Sequence, residues 1–164
     1  EVYNKRQYTK KTKRWEDLMA KIDYMAVQNK IKALLDADSR TSSYFVFVED
    51  EFILNPDQCP YVGIFLDSYT TLEDTETIGG SRPYLTELNI EIWMYGFSFE
   101  NNNGSVIRDG ILGNVKEVMK ENKTLDDTIL YFQFGSGTFD NQKNTSGLGF
   151  FKGVSLTLQC QIKE

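Results

Sequence analysis

The stretch YLTELNIEIWMYGFSFE (Tyr84 to Glu100) constrains this chain more than any other. It alternates with the period of two that belongs to a β-strand, whose successive side chains point to opposite faces. Thr86, Leu88, Ile90, Ile92 and Met94 make one mostly aliphatic row. The other row starts as a solvated surface would, with Glu87, Asn89 and Glu91, and then becomes Trp93, Tyr95, Phe97 and Phe99. The second half of this strand needs cover on both faces.

FFKGVSLTLQCQIK closes the chain as another strand, in which Val154, Leu156, Leu158, Cys160 and Ile162 alternate strictly with Ser155, Thr157, Gln159 and Gln161. The aliphatic row is expected in the core and the polar row in water or against a partner with polar contacts. YFVFVEDEF (44–52) is apolar on both faces at first and reads as a central strand, YVGIFLDSY as the next, and TILYFQF as a later one. Helical spacing takes over from Trp15, with Trp15, Leu18, Met19, Ile22, Met25, Ala26, Asn29 and Ala33 as the apolar stripe, running to about Leu35. DADSR at its end reads as a turn; Arg40 occupies a position where a calcium loop would need a ligand. A second helix, with Ser105 as its cap, places Ile107, Ile111, Val115 and Val118/Met119 on one side. Its Gly110 and Gly113 suggest close approach to a sheet. Two polar segments, 70–83 and 135–148, read as long exposed loops, the second with a short strand in its middle.

The resulting order, α-β-β-β-α-β-β, predicts an α+β fold: a mostly antiparallel sheet flanked by two helices. Leu88, Ile90, Ile92, Ile111, Val115, Val154, Leu156 and Leu158 should form its core. The 164 residues suit one such domain, here 15–164, preceded by an arm, 1–14, with almost no aliphatic residue. That arm holds six basic residues against Glu1, a net of +5, whereas the remainder holds 12 of the 18 Lys+Arg and 23 of the 24 Asp+Glu. An acidic body repels polyanions, so the folded part is a poor candidate for nucleic-acid binding, and the arm could bind DNA or equally the acidic surface of a neighbouring copy. No apolar run approaches the length of a membrane helix, so no membrane partner is expected. The charged first residues argue against a secretory leader, and the two cysteines, Cys59 in a turn and Cys160 on a core row, do not suggest a disulfide pair. A reducing cytoplasm is the expected setting.

Chemistry is hard to find. The chain has no histidine, which removes the commonest general base and the usual zinc ligand. IGGSR and GSG lack the strand-turn-helix frame of a phosphate loop. Glu87 and Glu91 share a solvated strand face, where a carboxylate pair is ordinary surface. The reading is a non-enzyme without metal or cofactor. The aromatic row allows three occupants: the chain's own N-terminal helix, another protein surface, or stacked single-stranded bases. Stacking platforms normally carry lysine and arginine, and none occurs between Arg82 and Arg108.

Several phrases in this order resemble the tail-terminator (tail-completion) proteins and related neck-ring proteins of tailed bacteriophages. They are the long strand LTELNIEIWMYGFS running into the helix IRDGILGNVKEVM, the loop with TFD, and the closing GVSLTLQCQI, and the likeness spans roughly residues 27–164. It implies a virion protein, assembled in the host cytoplasm, that forms a ring homo-oligomer, commonly a hexamer. Such a ring caps the tail tube and meets neck, head-completion or portal proteins, while genomic DNA passes through its lumen without sequence-specific binding. Under this reading Lys10, Lys11, Lys13 and Arg14 reach a neighbouring subunit or the DNA, and Trp93, Tyr95 and Phe97 form a subunit or partner interface. Glu73, Asp74, Glu76 and Arg82 in one loop, and Phe139 and Asp140 in the other, would dock partners. Glu73, Asp74 and Glu76, or Asp126 and Asp127, would line an acidic lumen. The alternative is a small nucleic-acid-binding or host-interaction module using the basic arm and the aromatic face.

Overall fold

The computed structural model describes residues 23–50, 53–72 and 85–163. Helix α1 (Tyr24–Ala37) leads to strand β1 (Phe45–Val48), a 3₁₀ turn (Pro56–Gln58), β2 (Tyr61–Leu72) and β3 (Leu85–Ser98). Helix α2 (Asn101–Glu121) follows, then β4 (Tyr131–Phe134), β5 (Phe139–Lys143) and β6 (Phe150–Lys163). The fold is α+β, as the element order predicts. Among the described residues, one six-stranded sheet runs in the order β1-β2-β3-β6-β4, with β5 also on β6, and every pairing is antiparallel except β1 with β2.

The two strictly alternating segments, β3 and β6, lie side by side over their full lengths, from Leu85↔Lys163 to Ser98↔Phe150. This register puts Leu88, Ile90, Ile92 and Met94 beside Cys160, Leu158, Leu156 and Val154, all buried. Both helices pack on that aliphatic face, and Ile111, Val115, Val118 and Met119 of α2 close the core.

Several expectations are corrected. The buried side of α1 is Val27, Gln28, Ile31 and Leu35, whereas Met25, Ala26, Asn29 and Ala33 are exposed. Val27, Ile31 and Leu35 recur every fourth residue and carry more apolar area than the alanines, so burial selects their phase. The helix begins at Tyr24, and Asp23 caps it by accepting the Ala26 amide at 3.1 Å; Trp15 to Ile22 lie outside the described residues. Strand β1 is an edge strand, not a central one. Its second apolar face is explained by Phe47, which stacks on Tyr61, and its open edge is blunted where Lys32 Nζ donates to the Val46 carbonyl at 2.8 Å.

Helix α2 starts a turn earlier than Ser105 implies. Glu100 is its N-cap residue without a side-chain cap bond, and Ser98 Oγ accepts the Glu100 amide at 3.1 Å. Gly110 and Gly113 face open space. Close approach to the sheet happens instead at Gly96, where a Cβ would lie 2.6 Å from Ile107 Cγ2.

The 135–148 segment is more ordered than a loop. Residues 135–138 cross from β4 to β5 along the β6 backbone, with the Gly135 amide donating to Thr157 O at 2.8 Å and the Ser155 amide to Thr138 O at 2.8 Å. A Cβ at Gly137 would sit 2.0 Å from Ser155 O, which explains the GSG sequence. This crossing also buries Ser155, so the polar row of β6 is not wholly solvated.

Candidate functional site

The sheet face turned away from the helices carries the aromatic row. The odd positions of β3 meet Tyr61, Gly63 and Phe65 of β2 on one side and Phe151 and Gly153 of β6 on the other. Tyr61, Tyr95 and Phe151 are buried, and Phe47, Leu54, Cys59, Trp93 and Phe97 pack around them as a second, smaller core. Among the described residues no α-helix and no second sheet lies over this cluster; the rings shelter one another, with Leu54 and Cys59 of the 3₁₀ turn segment packed at one side. Trp93 stacks with Tyr95 (centroids 6.0 Å, 18° between planes), Phe47 with Tyr61 (5.2 Å, 21°), and Phe97 lies tilted against Phe151 at 5.0 Å.

Glycines make this possible. Trp93 pairs with Gly63 and Tyr95 with Gly153 across the strands. A Cβ on Gly153 would stand 2.3 Å from Tyr95 Cε1, so the ring lies flat on the glycine backbone. At the far end the cover runs out: Phe99 remains 73% exposed although its ring meets Phe97 edge-on at 5.1 Å.

The charged groups nearest the aromatic rings are acidic. Tyr95 Oη donates to Asp140 Oδ2 at 2.6 Å, and Gln142 Nε2 donates to the same oxygen at 2.6 Å. Burial, then the Asp140 hydrogen bond and charge, then the electrostatic effects of Tyr61 and Glu91 push the Tyr95 phenol far above its usual range. Burial and the Asp50 charge push Tyr61 up to about 12. Beside Tyr61, a hollow of about 320 Å³ is lined by Phe47, Asp50, Ile53, Asn55, Gln58 and Tyr61. The odd rows from Glu87 to Phe99 and from Phe151 to Gln161 contain no lysine or arginine.

Reactive groups are held inert. Burial pushes Cys59 up to about 11 and Cys160 up to about 12, so both are thiols at neutral pH. Among the described residues no group of three His, Cys, Asp or Glu side chains could hold a metal ion, and no helix is long and apolar enough to cross a membrane.

The structure brings Trp93, Tyr95, Phe97 and Asp140 together on one face. Phe139 and Asp140 belong to β5, the short strand expected in the middle of the 135–148 segment; Phe139 points to the helix side, where the Arg108 guanidinium lies 4.5 Å from its ring centre. Asp126 and Asp127 sit in an exposed turn with left-handed backbone, and Asp126 pairs with Lys30 of α1. Lys10, Lys11, Lys13, Arg14, Glu73, Asp74, Glu76 and Arg82 lie outside the described residues. Sequence reasoning missed Phe47, Asp50, Tyr61 and Phe151. The available signal was the placing of Gly63 and Gly153 on the strand rows that flank the aromatics.

No protein-family model matches the chain, and no curated protein sequence does. Thirty-four chains of solved structures match it. Among them, a chain from the virion of a native gene transfer agent particle superposes with a TM-score of 0.43 at 10% identity, over 84% of this chain and 94% of that one.

Proposed function

We propose that this protein is a non-enzymatic virion structural protein that forms a ring at the head–tail junction, capping the tail tube and joining it to the neck. The observation that carries the reading is the one-layered aromatic face. A sheet with helices on one side only, and a row of partly covered rings on the other, has a surface built for contact rather than for chemistry. The sequence resemblance to tail-terminator and neck-ring proteins supplies the kind of contact: identical copies around a closed rotation, with a tube ring on one side and a neck ring on the other.

Function in such a ring is geometric. One ring surface matches the last tube ring, the opposite surface offers no match for another, and polymerisation stops. Single-strand stacking is the weaker reading, because Asp50, Glu91 and Asp140 surround the rings where a base platform needs cations.

Sedimentation velocity on the purified protein, with electron microscopy after adding tail-tube or neck components, tests the proposal. Closed rings alone or on tube ends are expected. A monomer at every concentration that never joins a tube or neck would sink it.

A further inference from the structure

We propose that β5 is an edge strand that pairs, antiparallel and across a two-fold axis, with β5 of a second copy of this chain. The contact is separate from the ring reading: it joins the same strand on both copies, whereas a ring joins two different surfaces.

The outer side of β5 carries an unfilled ladder. The Ser155 amide donates to Thr138 O and the Asn144 amide to Gly149 O, in the same register as the β5–β6 pairs. Bonded positions alternate in an antiparallel pair, so Asp140 and Gln142 bond to β6, while Phe139, Asn141 and Lys143 turn amide and carbonyl outward. No described residue bonds to those outward groups, and no strand lies beyond β5 among the described residues. The side chains of the three are exposed as well, Phe139 to 65%.

The neighbouring edges are blunted. At β1 the Tyr44 amide donates to Thr41 O at 2.9 Å, and Val46 O accepts from Lys32 Nζ. Beside β4, the Gly135 amide donates to Thr157 O and the Thr157 amide to Ser136 O at 3.0 Å. Two edge residues thus face one on β6, a β-bulge that interrupts the edge before β5. A straight incoming strand finds β5 alone.

The strand FDNQK is its own complement. Centred on Asn141, the two copies set Phe139 against Lys143, Asn141 against Asn141, and Lys143 against Phe139, each pair exchanging two backbone bonds. A slip of one residue sets outward groups against groups already bonded to β6, and a slip of two leaves one pair unmade. The side chains agree with this register. On the helix side, the stem of the second copy's Lys143 lies along Phe139, whose ring already receives an Arg108 guanidinium paired with Asp109. On the other side Gln142, which donates to its own Asp140, stands opposite the second copy's Asp140. Asp140 and Lys143, the charged residues of β5, never stand directly opposite their own kind. Five residues make a small contact, so the dimer is weak and forms at higher concentration than a ring interface needs.

Amide exchange by NMR on the full chain, followed as concentration rises and paired with sedimentation equilibrium, tests this. A monomer–dimer step with slower exchange at Phe139, Asn141 and Lys143 is expected. Asn141→Pro spares the β5–β6 ladder, because the lost amide points away from β6. It should weaken the dimer about tenfold or more, through the two bonds lost at the axis. Asn141→Asp changes only an exposed side chain and carries the test if proline unsettles β5. It sets two carboxylates against each other, so the dimer should weaken and added salt should restore it. A dimer that both variants leave intact, or exchange at the three amides that ignores concentration, overturns the inference. Association with those amides still fast overturns it and leaves the ring standing. Slowing that appears only when tail-tube or neck components are added gives the edge to another protein and also overturns it. A dimer with slowed amides in a protein that never forms rings or joins a tube supports the edge pairing while the ring reading fails.

Discussion

Tyr95 and Asp140 are bonded across a strand that neither belongs to. Each pairs with Gly153, Tyr95 from β3 and Asp140 from β5, and the phenol reaches over that glycine to the carboxylate at 2.6 Å. Three strands are thus tied at one point, and the tie needs residue 153 to have no side chain.

Gly153→Ala is expected to destabilise the fold by about 1–3 kcal/mol, because the new methyl meets the Tyr95 ring. Tyr95→Phe keeps the ring and removes only the hydrogen bond, with a loss of about 1.5–3 kcal/mol for a bond to a charged acceptor. Denaturant midpoints measure both. Amide exchange separates them from a general loosening: Tyr95→Phe should speed exchange in Phe139–Lys143 more than in β3, and equal protection of β5 in the two proteins refutes the tie.

The reverse sign is expected on α2. Gly110 lies in the helix interior with open space where its Cβ would be. Gly110→Ala should raise stability by about 0.5–1 kcal/mol, visible as a higher urea midpoint at unchanged slope.

Alkaline conditions should weaken the fold from about pH 9. Burial raises Cys160 from 9.0 to about 12 and Tyr61 from 10.0 to about 12. Groups raised in the folded state keep their full stabilising contribution below their unfolded values and lose it as pH climbs through the folded ones. Each contributes a slope of at most about 1.4 kcal/mol per pH unit. Stability measured in urea between pH 8 and 10 should fall with rising pH, and Cys160→Ala should flatten the fall. An unchanged slope in that variant contradicts the assignment.

Trp93→Ala should separate folding from assembly. The indole is half-buried and stacked on Tyr95, but it is outside the aliphatic core. A folded monomer with a native circular dichroism spectrum and a lower midpoint is expected, together with loss of self-association by sedimentation. Variant protein that still associates at wild-type concentrations removes Trp93 from the interface.

The sheet was legible where alternation was strict. β3 and β6 announce their faces, and the eight core residues read from the pattern are all buried. β1 was legible as a strand but not as an edge, since a short run apolar on both sides reads the same whether another strand or a stacked ring covers it. The stripe of α1 was misphased because Met25, Ala26 and Ala33 count as apolar in a pattern while Val27, Ile31 and Leu35 carry the area. The aromatic face was visible from β3 alone. Its other half was hidden, because Phe47, Tyr61 and Phe151 reach it through pairing registers, which no local pattern encodes.

Strand β6 has a kinetic consequence. Among the described residues it is the sole strand partner of both β4 and β5 and one of the two partners of β3, yet it is synthesised after all of them. While the ribosome is still making residues 150–163, β4 and β5 have no strand to pair with, and the aromatic row of β3 lacks Phe151. The nascent chain must carry exposed rings and open strand edges until translation has passed Lys163, the interval in which chaperones would have most to do.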